Sequence, residues 1–319
     1  MSPDSPAPAP AAAITETRTG TRPIYELRRW GRAARLAARE PVDVLERLRE
    51  RLENAPPRTG GARARAREQV HSTRLLPDAA WQEHLHRLLG QPWPCGELEV
   101  FATLWQDTVG SLGREGLSLG RHAYCGWDDA DPGFARAAWC LTRHLRPRAA
   151  VETGVARGFT TRVILEGLQA NGAGRLCSID LPPVLDQPRL EDQTGAAVAE
   201  GLKRRWTLVR GSSRRRLPKL LDELGSIDLF VHDSRHTRRN VCFELARAWS
   251  ALNPGGFLLV DDIHRNPGFA LCVREFGGPP AIVCPSDDRR GVFGLIQKPA
   301  AAWTGESDPA GPTSRGERT

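Results

Sequence analysis

Asp233, His236, Asp261 and Asp262 are the residues whose types and spacing could do chemistry. Three carboxylates that converge repel one another unless a cation or a proton neutralises them. Such a set suits a hard divalent cation, which takes a few carboxylates together with water and substrate oxygens. Convergence has a condition. Successive side chains along a strand point to opposite faces, so Asp261 and Asp262 meet only if the strand ends there. His236 follows Asp233 by three residues. A helix beginning nearby would turn both side chains toward one cleft. A histidine there can accept a proton from a substrate hydroxyl. His232 and His264 flank the acids as weaker candidates, and His232 is expected to be buried at a strand end.

A second group is built for a ligand. Val151-Glu-Thr-Gly-Val-Ala-Arg-Gly-Phe-Thr160 follows a short apolar run and precedes a helical pattern with Ile164, Leu165 and Leu168 on one face. The order reads as strand, tight glycine turn and helix N-terminus. Glycine lets a ligand come close to the backbone. Glu152 sits where it could meet a cation or ribose hydroxyls. The spacing is not the G-x-G-x-x-G of dinucleotide folds. Asp180 lies 26 residues beyond Gly154. An acid there can accept both hydroxyls of a ribose; its competing role is a helix N-cap, which Leu181-Pro-Pro disfavours.

These residues must be positioned by alternating strands and helices between Ala149 and Gln297. The candidate strands are Ala149–Thr153, Leu176–Asp180, Trp206–Val209, Ile227–His232, Phe257–Asp261, Ala281–Cys284 and Val292–Gln297. The clearest helix is Arg239–Leu252. Apolar strands alternating with helices imply a parallel sheet covered on both faces. The segment Pro285–Gly291 is too short for a crossover helix, so the last two strands should pair antiparallel. Ligands in such sheets sit beyond the carboxyl ends of the strands. Those ends are Glu152-Thr-Gly154, Ser178-Ile-Asp180, Gly211-Ser-Ser213, His232-Asp-Ser-Arg-His236 and Asp261-Asp-Ile-His-Arg-Asn266.

Glu152-Thr-Gly-Val-Ala-Arg-Gly158, Ser178-Ile-Asp-Leu-Pro-Pro183, Asp228-Leu-Phe-Val-His-Asp-Ser-Arg-His236 and Leu252-Asn-Pro-Gly-Gly-Phe-Leu-Leu-Val-Asp-Asp262 together resemble class I S-adenosylmethionine-dependent methyltransferases. More narrowly they resemble the metal-dependent, small-molecule O-methyltransferase branch that acts on macrolide sugars. The resemblance covers roughly residues 124–297. It implies an α/β, Rossmann-like sheet of seven strands, mostly parallel, with the last strand antiparallel and a helical extension before it. It implies Glu152, Thr153, Gly154, Gly158, Thr160, Asp180, Ser212 and Asp233 along the S-adenosylmethionine site. It also implies Asp233, Asp261 and Asp262 as magnesium (Mg2+) ligands and His236 as the general base. The chain departs from the pattern twice. The acid that often follows the third strand is replaced by Gly211-Ser-Ser, and Arg235 and Arg238 make the corner around His236 basic. Other chemistry on the same scaffold, such as hydroxylation, is the first alternative.

Nucleic-acid binding is the second. The chain of 319 residues has a formal charge of +7, and Lys203, Lys219 and Lys298 are its only lysines. The positive charge is therefore arginine, spread along the chain as a composition bias and not gathered into a stripe. Seven scattered cysteines without a C-x-x-C fit a reducing cytoplasm better than a disulfide scaffold. Neither a signal peptide nor an apolar stretch of membrane-spanning length is present.

The remaining expectations concern organisation. Residues 1–22 and 299–319 read as disordered tails, and 23–120 as a helical extension with an Arg/Pro/Gly linker near 55–67. Pro41 should divide the first helical stretch in two, and further helices are expected near 75–89 and 98–112. The catalytic domain is expected over 121–298. Tyr124, Trp127, Asp128 and Asp131 form a candidate lid. The N-terminal helices are a candidate dimer surface.

Overall fold

The computed structural model describes residues 37–38, 40–53, 76–117, 124, 131–181, 193–287 and 291–300. The expectations for both tails, the linker, the first N-terminal helix, Trp127 and Asp128 fall outside these residues. Strand residues here alternate between two apolar layers, and that alternation fixes the architecture. Ala150, Leu229 and Phe257 join Phe134, Leu141 and Ile164 in one core, whereas Val151, Phe230 and Leu258 join Leu217, Leu245 and Phe269 in another. A sheet apolar on both faces must be covered on both.

The strands are β1 (Ala149–Thr153), β2 (Arg175–Asp180), β3 (Trp206–Arg210), β4 (Ile227–His232), β5 (Leu252–Val260), β6 (Ala281–Pro285) and β7 (Val292–Gln297). Their order in the sheet is β3-β2-β1-β4-β5-β7-β6. The first five pair in parallel, and β7 runs antiparallel between β5 and β6. The expected terminal hairpin is present, and its second strand also closes onto β5. Strand β5 begins at Leu252, earlier than the expected Phe257, because Leu252 pairs with Ile227 across a register shift. Regular pairing starts at Phe257 opposite Leu229.

Among the described residues eight α-helices surround the sheet: α1 (Pro41–Glu53), α2 (Trp81–Leu88), α3 (Glu97–Arg114), α4 (Pro132–Leu145), α5 (Phe159–Ala170), α6 (Ser213–Leu224), α7 (Arg238–Ala251) and α8 (Gly268–Glu275). Pro41 opens α1 as its first residue, where its missing N–H leaves no intrahelical bond unmade. Helix α4 starts with Pro132 after Asp131, whose carboxylate accepts from Gly133 N at 2.8 Å. Thr237 caps α7, accepting from Asn240 N at 3.4 Å. Strand order reverses between β1 and β4, so the cleft beyond their carboxyl ends is where a ligand belongs.

Candidate active site

A cavity of about 350 Å³ opens at that reversal. Its wall includes Glu152, Gly154, Thr160, Asp180, Ser212, Asp233, His236, Asp261 and Asp262, all expected from the sequence. Two expected residues turn elsewhere. Thr153 is fully buried and its hydroxyl donates to Glu244 Oε2 at 2.6 Å, on the far side of β1. Gly158 caps α5 with φ +83° and packs against Gly195, whose Cα would lie 3.0 Å from an added Cβ. It serves packing and does not line the cavity.

The glycine turn is tightly constrained. Gly154 has φ +87°, and a Cβ there would lie 2.0 Å from the Asp233 carbonyl oxygen and 2.9 Å from Ser234 Cα. The turn thus fits directly under the segment that carries Asp233. Asp180 accepts from Val155 N at 3.1 Å, which ties the end of β2 to the same turn. Gly154→Ala is expected to destabilise the fold by about 1–2 kcal/mol through its left-handed backbone and by a further ~1–3 kcal/mol through overpacking. Urea denaturation measures the loss. Wild-type stability in the variant would mean that the turn has room the structure does not show.

Glu152 is buried and accepts from Thr161 Oγ1 and Ser178 Oγ, each at 2.7 Å. Burial pushes its carboxyl up to about 8, against those two bonds. Asp131, expected in a lid, lines the cavity at the head of α4; burial raises it to about 6. Tyr124 is buried and also lines the cavity, with the Arg157 guanidinium 5.6 Å from its ring centroid.

The acids behave differently from one another. One ligand atom from each of Asp233, His236 and Asp261 falls within 4.8 Å of the others. Burial raises the Asp261 carboxyl well above its ordinary value, and the charges of Asp233 and Asp262 add to this. A divalent cation would relieve that crowding, so the donor set fits one. Asp262 is placed otherwise than expected. It lies two residues beyond the end of β5, in a left-handed turn with φ +51°. Its Oδ2 lies 2.7 Å from His236 Nδ1 and 2.7 Å from Arg265 Nε. Burial opposes its charge, but His236 and Arg265 hold it down at about 2. Asp262 is thus the partner of His236 and stands outside the three-residue cluster. His236 Nε2 faces Asp233, 3.7 Å from Oδ1. Burial disfavours the imidazolium, yet hydrogen bonds to Asp233 and Asp262 push His236 up to about 10.

Helix α1 contributes what the strand ends lack. Asp43 Oδ1 accepts from Ser212 N at 3.0 Å and from Ser212 Oγ at 2.7 Å, and Asp43 Oδ2 accepts from Arg215 at 2.7 Å. A carboxylate therefore does stand at the end of β3, supplied by a distant helix. Its negative charge stands at the N-terminal end of α6, where the helix dipole favours it. The Ser212 hydroxyl is thereby committed as a donor within the protein. Glu46 accepts from Arg235 at 2.7 Å and lies 3.8 Å from Arg214, and Glu40 pairs with Arg215 and Arg216. Of the basic corner noted in the sequence, Arg235 is neutralised by this acidic face. Its signal was legible: Glu40, Asp43 and Glu46 recur every third residue, on one side of a helix.

Residues 151–263 match a family model described as a methyltransferase domain. Over that stretch the chain is similar to a methyltransferase domain. No curated protein matches. Solved structures similar to this chain include the O-methyltransferase TomG of Streptomyces achromogenes, in complex with S-adenosylmethionine, at 15% identity and TM-score 0.44, covering 76% of this chain and 100% of that one. An O-methyltransferase from Bacillus cereus is similar at 13% identity and TM-score 0.44, covering 68% of this chain and 97% of that one. No helix among the described residues is long and apolar enough to cross a membrane.

Proposed function

We propose that this chain is a class I, S-adenosylmethionine-dependent methyltransferase that transfers a methyl group to a hydroxyl of a small molecule or sugar, with a divalent cation such as Mg2+ beside the acceptor. The observation that carries the reading is the His236–Asp262 hydrogen bond, set beside Asp233 and Asp261 in one cavity with the glycine turn. S-adenosylmethionine supplies an electrophilic methyl on a sulfonium centre, and a bound cation supplies Lewis acidity toward a hydroxyl oxygen. Gly154 would admit the cofactor to the backbone, and Asp180 would accept its ribose hydroxyls. Glu152, Thr160 and Ser212 would border it. Asp233 and Asp261 would hold the cation.

His236 is the base in this reading, with Asp262 orienting the ring through Nδ1 and leaving Nε2 toward the acceptor. Holding the acceptor oxygen in line with the methyl accounts for roughly 7–11 kcal/mol of barrier lowering in well-oriented reactions. The unit that does this would span 121–298, with the helices of 23–120 as its extension and a reducing cytoplasm as its setting. Specificity would reside in the segment around Tyr124 and Asp131 and in α1.

Transfer from radiolabelled S-adenosylmethionine to a panel of sugars and hydroxylated small molecules tests the reading. Labelled product is expected, lost on EDTA treatment and restored by Mg2+. Transfer insensitive to EDTA would remove the cation, and transfer confined to nitrogen acceptors would remove the hydroxyl.

A further inference from the structure

His86, Cys95 and His144 meet far from the acidic cavity. They come from three segments: helix α2, the loop entering α3, and the last turn of α4. The cavity borders the other end of α4 at Asp131. The helix has 14 residues, about 20 Å at 1.5 Å per residue.

One ligand atom from each of the three residues lies within 4.8 Å of the others. His86 is 1% exposed. Its Nδ1 lies 2.6 Å from the Gln82 carbonyl oxygen, one turn back on α2. A carbonyl only accepts, so Nδ1 carries the proton and Nε2 keeps its lone pair. That Nε2 is buried without a hydrogen-bond partner. Cys95 Sγ is 3.1 Å from His144 Nε2 and accepts from Glu97 N at 3.3 Å. A buried imidazole lone pair, a second imidazole and a sulfur therefore face one point.

We propose that His86, Cys95 and His144 bind a thiophilic divalent cation of the zinc type. Two imidazoles and a thiolate suit zinc or cobalt and do not suit magnesium. Zn–S near 2.3 Å and Zn–N near 2.0 Å in a tetrahedron put ligand atoms roughly 3.5 Å apart, a small contraction of the observed cluster. The His86–Gln82 bond is the outer contact that fixes the tautomer of a ligating histidine. Binding displaces the thiol proton of Cys95 to solvent and leaves both imidazoles neutral. Glu97 is committed to Arg143 at 2.9 and 3.0 Å, so water takes the fourth position. The ion would join α2 and the start of α3 to the end of α4. This proposal is independent of the methyl-transfer reading.

Titration of the reduced, full-length protein with Co(II) tests it. A thiolate-to-cobalt charge-transfer band in the near ultraviolet is expected, saturating at one equivalent, with Zn(II) displacing the cobalt. The Asp233–Asp261 cavity has no sulfur ligand among its described residues and gives no such band. Cys95→Ser is expected to lose the band, and Asp261→Asn to keep it. Zn(II) should raise the Tm of wild type by more than that of His86→Gln, with circular dichroism verifying that both variants fold. Absence of the band in wild type at saturating Co(II), or its survival in Cys95→Ser, would overturn the proposal.

Discussion

His236→Ala is expected to lower kcat by about 10²–10⁴-fold, the usual contribution of a positioned base, with little change in affinity for S-adenosylmethionine. In the proposed function the ring faces the acceptor, and of the expected cofactor contacts Asp233 is the one that lies beside it, 3.7 Å away. Its proton balance sets the pH dependence. In the cation-free protein His236 is pushed up to about 10, against burial, by Asp233, Asp262 and Asp261. A raised histidine stabilises the fold fully below its ordinary value of 6.5 and loses that contribution as pH rises through about 10. A base must be neutral at the working pH. Positive charge held by Asp233 and Asp261 would oppose the imidazolium and lower its value, so catalysis and cation binding should share one pH window. The acidic limb of the kcat/KM profile should therefore move with cation concentration in wild type and disappear in His236→Ala. Steady-state kinetics across pH, with calorimetry for the cofactor, measures both. A kcat within a few-fold of wild type would give the proton to another acceptor.

The residues that proved legible in sequence are those whose placement depends on local rules. Strands β1, β4 and β7 span the residues expected of them, since a sheet covered on both faces needs strands that are mostly apolar. The hairpin was legible because Pro285–Gly291 is too short to cross over. What remained hidden depends on pairings between distant segments. Asp43 meets Ser212 across 169 residues of chain, and neither residue reveals the other. Asp262 was hidden for a different reason. Its left-handed turn redirects the carboxylate from the acid cluster to His236, and an aspartate tolerates that conformation without announcing it. Glu244 shares one face of α7 with Val241, Leu245 and Ala248, and nothing in that pattern names the partners that hold a carboxylate there. In the structure it is completely buried.

Glu244→Ala should accordingly destabilise the protein by about 3 kcal/mol or more, because it leaves several buried groups without their hydrogen-bond partner, at roughly 1–3 kcal/mol each. Glu244 and His232 are both fully buried, with Oε2 2.6 Å from Nδ1. The carboxylate also accepts from Thr153 Oγ1 at 2.6 Å, Ser234 Oγ at 2.8 Å and Asn240 Nδ2 at 2.8 Å. It therefore ties the ends of β1 and β4 to α7, beneath the cavity that Ser234 and Asn240 line. Burial opposes its charge, but His232 and the surrounding hydroxyls hold it down at about 2. A depressed carboxylate contributes stability above its ordinary value of 4.5 and loses it as pH falls through about 2. Glu244→Gln can still accept from Thr153 and His232, but its NH2 meets the Asn240 amide as donor against donor. A loss of about 1–3 kcal/mol is expected from that unmade bond. Urea denaturation at neutral pH ranks the two variants, and repeating it down to acid pH should show a shallower decline in Glu244→Gln than in wild type. A loss under about 0.5 kcal/mol in Glu244→Ala, the range of surface substitutions, would mean that the cavity floor is held without it.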